Sequence, residues 1–158
     1  MEKINDTDFL DYNKSIFYKI AKLAVYIESL GKNFFESRKL NVSIDEFAAL
    51  NAILRNPDIC QRDLAKIILR DRVRTGRILS SLEKKEYIVR KNDTKNNRLV
   101  KKICITQKGK NLYETHREML LDVSKEFLNI FSNEQKEELK KYLDNLENAL
   151  SKLSTIKI

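Results

Sequence analysis

The segment Arg72-Val73-Arg74-Thr75-Gly76-Arg77-Ile78-Leu79-Ser80-Ser81-Leu82-Glu83-Lys84-Lys85-Glu86 decides the fold. Wound at helical pitch, it gathers Thr75, Ile78, Leu79 and Leu82 on one stripe, which needs a core to cover it. The opposite stripe collects Val73, Arg77, Ser80 and Lys84, with Arg74 and Ser81 on its flank and Glu83 well round the helix. That outer face is basic and short-chained. It fits a major groove, where an arginine fork meets guanine acceptors and a small apolar group meets a thymine methyl. Taken alone it is also what an ordinary solvated helix looks like, so the flanking chain has to decide.

Upstream, Leu64, Ala65 and Ile68 share one face of a short helix opened by Cys60 or Gln61, and Leu69-Arg70-Asp71 makes a turn. Asp71 is placed to cap the next helix, so the pair reads as a helix-turn-helix. Downstream, Tyr87-Ile88-Val89-Arg90-Lys91 is β-rich and Asn92 to Arg98 is wholly polar and turn-like. Leu99 to Ile105 is β-like again, with Ile103 and Cys104 on opposite faces. A basic-tipped hairpin after a helix-turn-helix is a wing.

Further out, Ile16, Ile20, Leu23, Ile27, Leu30 and Phe34 form an apolar seam on a helix expected from about Leu10 to Arg38. Ser43-Ile44-Asp45-Glu46 is a capping box with Val42 and Phe47 as its staple, and Asn56-Pro57 ends the helix it opens. Thr106 caps a fifth helix whose inner line holds Leu112, His116, Met119, Val123, Phe127 and Ile130. A second capping box, Ser132 to Gln135, opens a sixth carrying Leu139, Tyr142, Leu143, Leu146, Leu150 and Leu153. These outer seams exceed one subunit's needs, and they predict a dimerisation platform.

Composition agrees. Three Gly and one Pro in 158 residues, with 34% charged and 42% hydrophobic, point to a mainly α protein with a small β-hairpin. The net charge is +8, yet Arg62 to Lys110 holds 16 of the 31 basic residues against 5 of the 23 acidic ones. The remainder is slightly acidic, so one basic module rides on a near-neutral scaffold, as expected of a polyanion binder. Met1 to Asp11 lacks the apolar run of a signal peptide, and no segment is long enough to span a membrane. With Cys60 and Cys104 unpaired in any metal or redox motif, a cytoplasmic location is expected. A single histidine, His116, and the absence of nucleotide-binding loops leave no assembled catalytic, metal or cofactor site.

With the wing in view, the chain resembles the MarR family of bacterial winged helix-turn-helix regulators. The match rests on Leu64-Ala65, on Arg77 to Lys85, on Tyr87 to Lys91 and on Ile105-Thr106-Gln107-Lys108-Gly109, in that order. Three positions depart from the family pattern. Glu86 stands where a glycine usually ends the recognition helix, so the turn is expected without a free αL residue. The wing's acid-x-Arg pair appears as Asn97-Arg98-Leu99, and Gly76 interrupts the recognition helix, where the backbone is expected to approach DNA closely.

The resemblance implies a single subunit spanning 1–158, with a dimerisation region in 1–41 and 107–158 and a winged helix-turn-helix in 42–106. It implies a homodimer on double-stranded, pseudo-palindromic operator DNA that represses neighbouring genes. Release would come from a small aromatic or phenolic ligand or from cysteine oxidation. The expected DNA contacts are Arg72, Val73, Arg74, Thr75, Arg77, Ser80 and Lys84 on the recognition helix, and Lys95 and Arg98 on the wing. Tyr18, Tyr26 and Phe47 are the expected ligand-pocket residues, between platform and winged helix, and Cys60 is the candidate redox residue. Two other readings stay open at this stage: a winged helix that docks a protein partner, and a sequence-indifferent architectural DNA binder.

Overall fold

The structure is a computed structural model that describes residues 11–95 and 98–153, with side chains described except for 93–100 and 153. A 3-10 turn, Tyr12–Lys14, precedes α1 (Ile16–Ser37). Then come α2 (Ile44–Arg55), α3 (Gln61–Ile67), α4 (Arg72–Lys84), the hairpin β1 (Ile88–Lys95) and β2 (Arg98–Ile105), α5 (Gln107–Leu128) and α6 (Asn133–Leu153). Residues 1–47 and 48–158 form two compact units, the boundary falling inside α2.

In the first unit α1 begins later than its apolar spacing suggests. The Ser15 hydroxyl accepts from the Tyr18 N–H at 3.1 Å and so caps the helix at Ile16, while Leu10 lies outside the described residues. The far end of α1 is fastened by rings: Phe35 is buried and meets Phe34 and Phe47 edge-on, at centroid distances of 6.1 and 5.8 Å. The Arg38 guanidinium covers the Phe34 ring at 4.1 Å. The capping box closes as its residue types require: the Ser43 N–H donates to Glu46 at 2.7 Å and the Glu46 N–H to the Ser43 hydroxyl at 3.2 Å.

The second unit is built round Leu50 and Ile53 of α2, Leu64 of α3, Thr75, Leu79 and Leu82 of α4, Ile88 of β1 and Ile103 of β2, all sealed from solvent. The inner stripe of α4 is therefore the centre of this core. The Tyr113 hydroxyl of α5 donates to Asn51 of α2 at 2.9 Å and adds a polar fastening. At the sixth helix the second capping box also forms, Gln135 and Ser132 exchanging hydrogen bonds of 2.8 and 3.3 Å.

The chain turns its corners without glycine. Lys39, Leu69 and Glu86 follow the ends of α1, α3 and α4 with φ of 50°, 54° and 63°, and no glycine has positive φ. After each, paired backbone bonds close a Schellman motif, as in Tyr87 N–H to Leu82 carbonyl and Glu86 N–H to Glu83 carbonyl, both 2.9 Å. The turn at Glu86 is thus made without glycine: the residue adopts αL itself, at the steric cost that a Cβ brings there.

Candidate nucleic-acid interface

The interface rests on how α4 is held. The Asp71 carboxylate accepts from the Arg74 N–H at 2.8 Å, which fixes the first turn and holds the carboxyl below the ordinary aspartate value. The Gln61 side chain donates to the Arg72 carbonyl at 2.9 Å and ties α3 to the same turn. With the inner stripe buried, Arg72, Val73, Arg74, Arg77, Ser80 and Lys84 are all exposed, Val73 to 67%. Among the described residues no acidic side chain pairs with Arg72, Arg77 or Lys84.

Thr75 does not belong with them. It is 0% exposed and its hydroxyl donates to the Asp71 carbonyl at 2.8 Å, so the same stripe that makes Leu79 and Leu82 core takes Thr75 inward. Gly76 is also redirected. A Cβ there would meet the Gln61 amide nitrogen at 3.2 Å, so the missing side chain makes room for α3 as much as for any ligand.

Beside α4, an open groove of about 690 Å³ is lined by Arg62, Lys66, Arg70 and Arg72 together with Ala65 and Leu69. The α3 members of this group escape a reading centred on α4. The four-residue spacing of Arg62 and Lys66 on α3 is the signal that could have found them, and Arg70 joins them from the turn after the helix. Asp71, the groove's one acid, already has its carboxylate on the helix cap.

The wing is longer than its hydrophobic pattern indicates. Strands β1 and β2 pair in antiparallel register from Ile88↔Ile105 out to Lys95↔Arg98, so the polar run after Lys91 is largely strand rather than turn. Both faces of a two-stranded ribbon meet water, so polar side chains cost it little and leave no alternation to read. Lys95 and Arg98 face each other in that register; their side chains, and Asn96–Asn97, lie outside the described residues.

Several contacts root the ribbon, among them the Lys102 ammonium on the Asp58 carboxylate at 3.3 Å. The Ile103 N–H donates to the Ile59 carbonyl at 3.1 Å, with Cys60 bridged to Lys102, which makes the stretch before α3 a third rung. On β1, Arg90 Nε donates to Glu83 of α4 at 2.9 Å, a second guanidinium nitrogen reaches the same oxygen, and Ser80 Oγ lies 3.5 Å away. The Arg90 hydrogen bonds hold the Glu83 carboxyl below the ordinary glutamate value. Seven residues separate this pair across a helix end and a turn, out of reach of any periodicity argument.

The exit of α4 is bolted to α5. The Thr106 hydroxyl donates to the Glu86 carbonyl at 2.8 Å and accepts from the Gly109 N–H at 3.1 Å; the Thr106 N–H donates to the Tyr87 carbonyl at 3.0 Å. Lys108 pairs with Glu86 at 2.8 Å, which lowers the Glu86 carboxyl and raises the Lys108 ammonium from their ordinary values.

The remaining candidates are dispersed. Tyr18 packs edge-on against Tyr12 at 5.4 Å, Tyr26 lies exposed near Lys22 at 5.6 Å, and Phe47 pairs with Phe35. Cys60 does open α3, where its thiol donates to the Asp63 carboxylate at 3.1 Å and depresses the Asp63 carboxyl. Cys104 and His116 are both half-buried. Among the described residues no helix is long and apolar enough to cross a membrane.

Comparison with known proteins agrees with this architecture. Residues 42–100 match the model of the MarR family. An uncharacterised helix-turn-helix transcriptional regulator of Bacillus subtilis, YybA, is 30% identical over 122 residues, which cover 77% of this chain and 79% of that protein. A MarR/EmrR family regulator from Acinetobacter superposes with a TM-score of 0.79 at 20% identity, covering 89% of this chain and 98% of that one. The Staphylococcus aureus MepR–DNA complex superposes with a TM-score of 0.71 at 22% identity, covering 89% and 97%. The chain belongs to the MarR family of winged helix-turn-helix transcription regulators.

Proposed function

We propose that the protein is a homodimeric repressor that reads a pseudo-palindromic operator with α4 and grips its flanks with the wing. As a member of a family of transcription regulators it is a DNA-binding protein and not an enzyme. The observation that carries the finer reading is the split of α4: a sealed apolar stripe on one side, and Arg72, Arg74, Arg77 and Lys84 exposed on the other. Arg77 sits mid-helix, where its fork suits guanine; Arg72 and Arg74 lie at the first turn, and Arg62, Lys66 and Arg70 add phosphate contacts from the groove beside it. Lys95 and Arg98 serve the backbone or the minor groove. The MepR–DNA complex, a relative caught on its ligand, supports the same use of the fold.

Dimerisation is supported by apolar side chains left in the open on α1, α5 and α6: Leu23, Ile27, Phe127, Tyr142 and Leu143 are each at least half exposed in the single chain, as is Ile130 in the turn between α5 and α6. Monomers rarely carry so much uncovered apolar surface. Release by a small aromatic or phenolic ligand, with Tyr18, Tyr26 and Phe47 at its site, remains part of the proposal. It is favoured over oxidation because the Cys60 thiol is engaged as a donor to a carboxylate.

The test is a salt titration against the selected operator and a scrambled duplex, with sedimentation to fix the stoichiometry. Arg77→Ala should cost about 1–3 kcal/mol at the operator and relax preference at one position per half-site. Arg98→Ala should weaken both duplexes alike and flatten the salt slope by about one unit for every phosphate it ceases to neutralise. Equal weakening on both duplexes from Arg77→Ala would remove α4 from base reading, and a monomer at micromolar concentration would remove the dimer.

A further inference from the structure

We propose that Arg90 and Glu83 are positioning residues whose ion pair sets the wing against the recognition helix, so that an acidic side chain supports binding to a polyanion. The inference rests on the reading that α4 and the wing hold one DNA site.

Glu83 is the only acid in α4, a helix that otherwise carries Arg72, Arg74, Arg77 and Lys84. An unpaired carboxylate on a DNA-binding helix repels phosphate, so its presence asks for a reason. The geometry supplies one. Two nitrogens of the Arg90 guanidinium converge on a single Glu83 oxygen, and the Ser80 hydroxyl stands beside them. Both side chains are partly shielded, at 25% and 38% exposure, so water competes for them less than at Lys102–Asp58 or Lys108–Glu86.

Arg90 lies on β1 opposite Ile103, the residue whose N–H bonds to Ile59. The ribbon is thus anchored along both strands at the same level: β2 to the stretch before α3 through backbone, β1 to α4 through this pair. One step further out Lys102 is bridged to Cys60 and pairs with Asp58 at 3.3 Å, and from there the register runs outward to Lys95↔Arg98. A long two-stranded ribbon bends and twists readily unless its root is fixed. The pitch of the basic tip relative to α4 therefore depends on the Arg90–Glu83 pair, and Ser80 is held by the same guanidinium.

The distinguishing variant is Glu83→Ala, which removes a negative charge from the DNA face and frees a cation, while alanine suits a helix. On charge alone it should tighten binding. If Glu83 positions the wing, affinity should instead fall on the order of tenfold, with the salt slope flattened by about one unit for each phosphate that the wing no longer reaches. Arg90→Ala should do the same, and the double variant should be no worse than either single one. Glu83→Gln, which keeps a weaker acceptor, should fall between. Helicity and sedimentation should match the parent in all four. Arg77→Ala runs alongside: if it weakens binding while Glu83→Ala binds as tightly as the parent or more so, the positioning role is refuted and the DNA reading stands. If Arg77→Ala also leaves binding untouched, the DNA reading itself has failed. Arg90→Ala flattening the slope while Glu83→Ala does not would make Arg90 a direct phosphate contact and overturn the proposal.

Discussion

Replacing Gly109 by alanine should destabilise the protein, although the position is helical and alanine is the better helix former by about 1 kcal/mol. Gly109 lies in the first turn of α5, and its φ is not in the left-handed region. What it provides is space. A Cβ there would sit 2.2 Å from the Tyr87 carbonyl oxygen, 3.1 Å from its carbon and 2.9 Å from Ile105 Cγ1. Ordinary van der Waals separation needs roughly another 1 Å, and the obstacle is backbone, which no rotamer change can move aside. That carbonyl already accepts the Thr106 N–H, and the neighbouring Glu86 carbonyl accepts the Thr106 hydroxyl, so pushing α5 away from Tyr87 strains both bonds. Overpacking of this kind costs about 1–3 kcal/mol or more, and against backbone the upper end applies. After the propensity gain a net destabilisation of about 2 kcal/mol remains, a fall in thermal midpoint of about 4–8 °C for a domain of this size. Thermal unfolding followed by circular dichroism measures it. The other glycines are internal controls: at Gly76 the nearest atom is the Gln61 amide at 3.2 Å, and at Gly31 the tip of Ile44 at 2.2 Å. Both obstacles are ends of flexible side chains, so Gly76→Ala should be near neutral or stabilising and Gly31→Ala milder than Gly109→Ala. A Gly109→Ala protein as stable as the parent would refute the reasoning.

Leu69→Gly should stabilise by up to about 1 kcal/mol, because relief of the αL clash at φ 54° exceeds the extra chain entropy of glycine and the leucine removed is 70% exposed; a lower denaturation midpoint would contradict this. The Arg90 hydrogen bonds depress the Glu83 carboxyl, so the stability that this pair contributes is present above the ordinary glutamate value and lost only as pH falls through the lower folded one. Stability and the wing's share of DNA affinity should accordingly show no Glu83-linked change between about pH 5 and 8, and a parent-minus-Glu83→Ala difference should shrink only in more acidic buffer. Brief peroxide treatment should leave operator affinity unchanged, since the Cys60 thiol is committed to Asp63; weakening that Cys60→Ser abolishes would reinstate oxidation as the release signal.

The helices and their caps are legible in the sequence because a buried face repeats every turn and a capping box has a fixed spacing. Ser43–Glu46, Asp71, Thr106 and Ser132–Gln135 all close as their residue types require. The basic face of α4 is legible for the same reason, with Thr75 the exception. A threonine fits either stripe by chemistry, and only its position beside Ile78 and Leu79 assigns it inward. The αL corners are hidden because Lys39, Leu69 and Glu86 carry no mark of the conformation they adopt. The outer wing is hidden by the absence of alternation in Asn92, Asp93 and Thr94. The start of α1 is misplaced by its seam, because apolar spacing does not register the serine at which the helix begins. Arg90–Glu83 and the α3 groove arise from tertiary neighbours, which a linear pattern does not contain.

The rung between Ile59 and Ile103 has a mechanical meaning. One hydrogen-bonded step joins the hairpin to the residue before Cys60, where α3 begins, so the ribbon and the helix-turn-helix share a hinge. Torque applied at the outer strands is delivered to the start of α3 and, through the Gln61 bond to the Arg72 carbonyl, to the first turn of α4. On the proposed reading of α4 and the wing, a duplex whose flank does not accommodate the ribbon would tilt α4 as well, and a poor flanking sequence would degrade discrimination at bases that the ribbon never reaches.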